Sequence, residues 1–467
     1  MISQKTRSSL TITIGTILVS IGTVLLVGLA SGYNIDIFRG EIFVTGLALL
    51  GSNPGGASIK VNSKLISQKT PYRLENIKTG PLTIEYSIAD YNDWKANFFV
   101  KAGEVTFADY ALMIPKIIEP KQIESNLVFT DIISAADKNK IFGFIDNPGL
   151  IYEVKSNYEL RKVVELPTND SIKTPIRQTD IQISSDSGSL VTRAVYDDAS
   201  TAYFWVNTSS GEFFDINKLF NQPLPNVRIS PKNNKDIYSL EAGKISRVNV
   251  DTKKLTLLPM TNVRTFDLSK DVVLTVENLS PTDTAQVLVS YDYDGNNRKI
   301  LYQYPASVKP LQIISSKIGN DLIVAITNPD NNSLTVYRQG EGKNLSSLIG
   351  LDTSLPNFSP NGRFLSFVQA SKLRTIDIEF TDRYSVSLAD IGQISWLTKY
   401  QMLLKKPNGL FIIDYNGFNL LKIPPNASLL SDYKVTTISD SKSVIYLTAG
   451  KINYYSLEPR GGLINFR

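Results

Sequence analysis

Apolar and polar residues are laid out along this chain in two unlike ways. From Leu10 to Ala30 (LTITIGTILVSIGTVLLVGLA) the residues are mostly apolar and none is charged. As a helix the run is roughly 30 Å long, the thickness of a bilayer's hydrocarbon core. Beyond it, apolar and polar residues alternate with the period of half-buried strands. In Ala57-Ser-Ile59-Lys-Val61-Asn the odd positions are apolar, and in Leu82-Thr-Ile84-Glu-Tyr86-Ser-Ile88 the even ones are. Turn-forming clusters separate such runs at Asn53-Pro54-Gly55-Gly56, Lys78-Thr79-Gly80-Pro81, Tyr91-Asn92-Asp93 and Lys101-Ala102-Gly103. The pattern predicts a small antiparallel β-sandwich over residues 47–113.

Past the two prolines of Met113-Ile-Pro115-Lys-Ile-Ile-Glu-Pro120, which favour an extended spacer, a second pattern repeats. Each unit opens with a short strand and a turn rich in Ser, Asp, Asn and Gly, as at Ile183–Gly188, Ile229–Asn234, Phe358–Gly362 and Ile438–Ser441. An apolar strand follows: Lys140–Phe144, Leu190–Val195, Asp236–Leu240, Val272–Val276, Leu322–Ile326, Phe364–Val368, Gln401–Leu404 and Ser443–Leu447. A third strand comes next, closed in several units by a hairpin to a fourth, as in Leu288–Asn297 and Phe411–Gly417. The spacing of these units is that of four-stranded propeller blades. One such sheet cannot bury both of its faces, whereas a ring of them can. The expectation is a seven- or eight-bladed β-propeller over residues 127–467, the first and last units being able to combine into one blade. Two stacked sheets or a β-helix is the alternative, and the long irregular period speaks against a β-helix.

The residues around Pro54-Gly55-Gly56-Ala57 resemble the PEGA domain, an all-β module of bacterial and archaeal surface proteins. Ser52-Asn53-Pro54 leads in, Ile59-Lys60-Val61-Asn62 follows, and Thr70-Pro71-Tyr72-Arg73-Leu74 and Ile77-Lys78-Thr79-Gly80 keep the family's order. Ser63 stands where the family turns on glycine, and Asp90-Tyr91 replaces its Gly-Tyr pair. The resemblance implies an envelope-binding or spacing element without catalytic residues. Ser359 to Val368 resembles the turn-and-strand signature of TolB-like and WD40-like propellers, without the Gly-His or Trp-Asp of true WD40 repeats. The whole arrangement is similar to bacterial PEGA-domain membrane proteins with propeller-like C-terminal regions.

Charge orients the chain. Lys5 and Arg7 precede the apolar run, while Asp36 and Arg39 cancel behind it, so the positive-inside rule puts the N-terminus in the cytoplasm. Gly28-Leu29-Ala30 before Ser31 would suit a signal peptidase, but the run exceeds the 7–15 residues of a secretory h-region, which favours a retained anchor. Gly28 and Gly32 have helix-packing spacing at the outer end of the span. The resulting map is a cytoplasmic tip (1–9), a transmembrane signal anchor (10–30), a spacer (31–46), the PEGA-like sandwich (47–113), a linker (114–126) and the propeller (127–467).

Composition narrows the chemistry. The chain has no cysteine, so disulfides, thiolate metal sites and lipoprotein attachment are excluded. It has no histidine, which removes Ser-His-Asp and Cys-His catalysis and His-ligated metals. A net charge of +5 with interspersed acids gives no nucleic-acid stripe. Asp292-Tyr-Asp294-Gly295-Asn296 looks like a calcium loop, yet Asn297 and Gln303 stand where the EF-hand needs Gly and Glu; a hairpin turn is the better reading. Gly340-Glu-Gly342-Lys343 fails as a P-loop at Tyr337 and Asn344. Trp94, Trp205 and Trp396 are candidates for stacking on sugar, but strand aromatics ordinarily fill the space between sheets.

No catalytic, cofactor or metal residue is assigned, and no ligand-contacting residue is singled out. The expected function is a non-enzymatic binding or scaffolding protein of the bacterial cell envelope. It would be anchored in the lipid bilayer by residues 10–30, with its bulk extracytoplasmic, and would bind a cell-wall polymer or an envelope protein but no nucleic acid. The alternative is a propeller hydrolase or lyase acting on surface glycans or peptides through paired carboxylates.

Overall fold

The computed structural model describes residues 4–30, 33–36, 41–135, 140–167, 175–219, 226–280, 284–304, 307–340, 344–423, 434–437 and 443–457. Features singled out in the sequence that fall at least partly outside these residues are Ser31-Gly32 and Arg39 behind the apolar run, residues 341–343, and the turn at 438–441. The chain forms two compact units, Met1–Ile117 and Ile118–Arg467.

The first unit opens with a 27-residue helix, α1 (Gln4–Ala30). Its described side chains include Ile14, Val19, Ile21, Val24 and Leu26, all at least half exposed. Counted over the described residues alone, no helix is long and apolar enough to cross a membrane. Two four-stranded sheets follow. One is built on β2 (Glu41–Asn53), which pairs antiparallel with β1 (Tyr33–Asp36) and β5 (Tyr72–Lys78) and parallel with β8 (Val105–Leu112). The other has the order β4 (Lys64–Lys69), β3 (Ser58–Val61), β6 (Gly80–Ser87), β7 (Trp94–Val100).

Three details differ from the sequence expectation. The β2–β8 pair makes the sandwich mixed rather than wholly antiparallel. Residues 33–36 and 41–46, read as spacer, are strands, because Tyr33–Asp36 pairs with Glu41–Val44 and Thr45 and Gly46 continue that strand against Lys78 and Ile77 of β5. Ile114 and Pro115, read as linker, belong to this unit: Ile114 is buried and its carbonyl accepts from the Asn92 backbone N–H at 2.8 Å. The core holds Ile59, Leu82, Ile84, Tyr86, Trp94 and Tyr110. Tyr86 stacks on Trp94 at 5.0 Å and donates across the sandwich to the Ala108 carbonyl at 2.7 Å.

The second unit is a ring of eight four-stranded antiparallel sheets among the described residues. Their first strands are Asp131–Ser134, Pro175–Ile183, Val227–Ile229, Val263–Leu268, Gln312–Ile318, Thr353–Phe358, Gln393–Trp396 and Lys434–Thr437. Each of the eight apolar runs read from the sequence coincides with the second strand of one sheet, from Ile141–Ile145 to Ser443–Thr448. First strands adjoin from the second sheet to the fifth and between the sixth and seventh, and the last adjoins the first. This is an eight-bladed propeller.

The period of two explains how the blades pack. Val287, Val289 and Tyr291 join a cluster with Tyr238, Ile245 and Met260 of the third blade. Leu288, on the opposite face of the same strand, joins Leu311, Val324 and Tyr337 of the fifth. Both faces of a blade are therefore buried, which is why its inner strands read as near-continuous apolar runs. Each such side chain contributes about 1.5–3 kcal/mol of burial.

The ring is closed by a strand that the sequence reading placed in the linker. β9 (Pro120–Gln122) pairs with Lys451–Ser456 as the fourth strand of the last blade. A linker reading misses it because Pro-Lys-Gln has no apolar alternation; its place is fixed by backbone pairing and by Ile123, whose N–H donates to the Ile452 carbonyl at 2.9 Å.

A candidate ligand-binding cavity

The residues singled out in the sequence are structural. Trp94, Trp205 and Trp396 are each at most 3% exposed. The indoles of Trp205 and Trp396 donate to the carbonyls of Asn234 and Asn357. In the Asp292–Asn297 hairpin the Asp292 carboxylate accepts from Asn297, and Asp294 pairs with Arg247 of the preceding blade at 2.9 Å. Among the described residues no three acidic side chains converge as a metal site. The Pro54–Ala57 turn is held by Thr70, whose hydroxyl accepts from the Ala57 N–H at 2.9 Å while its carbonyl accepts from the Gly56 N–H at 2.7 Å.

A feature the sequence did not single out lies where the first strands of blades three, four and five begin. There a cavity of about 360 Å³ is lined by Arg228, Arg264 and Lys309 and by the buried Leu240, Phe266 and Leu311. Asn226, Thr265 and Gln312 add polar groups, and the lining includes no carboxylate. The volume lies in the range of small-molecule sites.

Each cation is positioned by its own local structure. Arg264 is the extra residue of a β-bulge, since Val263 pairs with Glu277 and Thr265 with Val276. A bulge re-aims the side chain it carries; here Nη2 of Arg264 donates to the Val308 carbonyl at 3.3 Å. Arg228 stands between buried Val227 and Ile229, exposed, with its Nη1 on the Val227 carbonyl at 3.2 Å. Lys309 sits on a braced loop. The fully buried Gln286 amide donates to the carbonyls of Ser307 and Lys309 at 2.8 and 2.9 Å and accepts from the Leu311 N–H at 3.1 Å.

Asp330 completes the brace from outside the lining. Its carboxylate accepts from the Val308 N–H at 2.7 Å and from the Ser307 hydroxyl at 3.2 Å. Desolvation opposes its ionisation, but the N–H groups of Val308 and Lys309, the Ser307 hydroxyl and the Lys309 charge outweigh it and hold the carboxyl below its ordinary range. This acid is therefore committed to the loop backbone. The guanidinium groups are always charged, so the cavity is a positive, partly apolar recess on a rigid frame.

Eight blades in a closed ring, preceded by a two-sheet sandwich, define a propeller protein with an appended β-module. Residues 46–115 match the family model of the PEGA domain. No curated protein matches the chain. Among solved structures, an uncharacterized protein from Listeria monocytogenes EGD-e is 13% identical, with 66% of this chain and 98% of that one covered at a TM-score of 0.45. Porphyromonas gingivalis dipeptidyl peptidase 4 is 10% identical, with 69% and 56% covered at 0.48. An oligogalacturonate lyase in complex with manganese is 10% identical, with 72% and 99% covered at 0.43.

Proposed function

We propose that this is a membrane-tethered, extracytoplasmic binding or scaffolding protein of the bacterial cell envelope. Residues 10–30 hold it in the bilayer, the N-terminus lies in the cytoplasm, and the propeller presents a binding surface to a wall polymer or another envelope protein. The location is supported by the uncharged run Leu10 to Ala30 and by the exposed apolar side chains of α1, among them Val19, Val24 and Leu26. The PEGA-type sandwich behind it suits a spacer.

The observation that carries the binding role is the cavity of blades three to five, with three cations and no carboxylate in its lining. Glycoside hydrolysis needs two facing carboxylates, and this recess supplies none, so a carboxylate hydrolase or lyase is the less favoured reading. The test is sedimentation of the purified full chain, in detergent, with isolated cell walls. Retention on the walls, or crosslinking to a defined envelope protein in membranes, is expected; absence of both contradicts the proposal.

A further inference from the structure

We infer that the cavity at Arg228, Arg264 and Lys309 is a subsite for one sugar-sized unit carrying an oxyanion, a carboxylate or a phosphate. This rests on the binding role proposed above and names the chemistry that the role would use.

Three observations converge on it. The positive groups come from three consecutive blades, at or just before their first strands, and face one recess that contains no acid. Two of them are guanidinium forks, which match the paired oxygens of carboxylate and phosphate better than a point charge does. Among the described residues, the hydrogen bonds of these forks go only to single backbone carbonyls, at 3.2 and 3.3 Å, which leaves donors for a ligand.

The rest of the lining selects a sugar rather than a bare ion. Asn226, Thr265 and Gln312 can meet hydroxyl groups, and the volume of about 360 Å³ exceeds what a bare ion fills, while Leu240, Phe266 and Leu311 contribute only the edges of buried core side chains. The frame is set before any ligand arrives: Gln286 fixes the Lys309 loop from within and Asp330 fixes it from without. Preorganisation of this kind reduces the ordering cost of binding.

The test is calorimetric titration of the full chain in detergent with glucuronate, glucose 6-phosphate and glucose. Saturable binding of at least one charged sugar, weakened as salt is raised, and no binding of glucose are expected. Which charged sugar binds identifies the source of the oxyanion. Arg228→Gln and Arg264→Gln should each weaken binding about tenfold, and Arg264→Lys should recover part of the loss, with thermal melting unchanged because both side chains are exposed. Equal binding of glucose, or variants that bind like the parent chain, would overturn the inference. Sugar binding and wall sedimentation are separate readouts, so failure here with wall retention intact removes the subsite and leaves the binding function.

Discussion

Lys434 Nζ lies 2.7 Å from the Asp131 carboxylate, joining the first strand of the last blade to the first strand of the first. Both side chains are partly exposed, at 49% and 25%, and an ion pair of this kind adds at most about 1 kcal/mol. Closure must then rest mainly on β9 and the apolar cluster of Ile123, Phe129, Ile141, Ile445 and Ile452. Lys434→Gln should cost less than about 1 kcal/mol, and Ile123→Ala about 2–4 kcal/mol, in denaturant unfolding. The reverse order would place the closure in the ion pair.

In the sandwich, Ser63 and Asp90 adopt φ of 66° and 67°, the left-handed region that favours glycine. Both are positions at which the chain departs from the PEGA pattern, and both take the backbone that glycine adopts most readily. Ser63→Gly and Asp90→Gly should each stabilise the protein by about 0.5–1 kcal/mol, the relief of left-handed strain less the added freedom of the unfolded chain. A fall in melting temperature for both would contradict that account.

Gly362 shows the opposite need. Its φ is 74°, and a Cβ there would stand 2.3 Å from the Lys317 carbonyl oxygen of the neighbouring blade. At Gly319, φ is 57°, but a Cβ there would meet no described atom beyond its chain neighbours within 4 Å. Gly319→Ala should cost about 1 kcal/mol from conformation alone, whereas Gly362→Ala should cost about 3 kcal/mol or more through displaced backbone. Equal losses would show that blade contact at this turn is slack.

The same contrast explains what could be read in advance. A strand such as Phe364–Gln369 announces itself because its apolar residues, its flanking turn and its length all act locally. Turns such as Asp292–Asn297 are legible for the same reason. β9 was hidden because three residues paired to a strand hundreds of positions away need no local pattern. The parallel β2–β8 contact was hidden likewise. Arg228, Arg264 and Lys309 were invisible because each lies about one repeat from the next and is an ordinary surface cation within its own repeat. Only the ring brings them to one cavity, and only pairing reveals the bulge at Arg264.

Alkaline pH should expose a further property of the packed blades. Burial is the largest cause that pushes the phenols of Tyr196, Tyr203, Tyr238 and Tyr384 up to about 12, from an ordinary 10.0. Below pH 10 neither state ionises them. Between 10 and 12 the unfolded chain loses these protons while the fold retains them, so stability is progressively lost as pH rises. Phenolate absorbance should therefore show a late class of tyrosines that ionises together with unfolding, and titration of all tyrosines near pH 10 without unfolding would contradict the burial.

The central claim is that the propeller works outside a membrane held by residues 10–30. The chain lacks cysteine, so single cysteines can be placed without background at Ser8 and at exposed Lys254 on the third blade. With a membrane-impermeant maleimide, Lys254→Cys should label in intact cells and Ser8→Cys only after permeabilisation. Protection of position 254 in intact cells, with labelling only after lysis, would contradict the account.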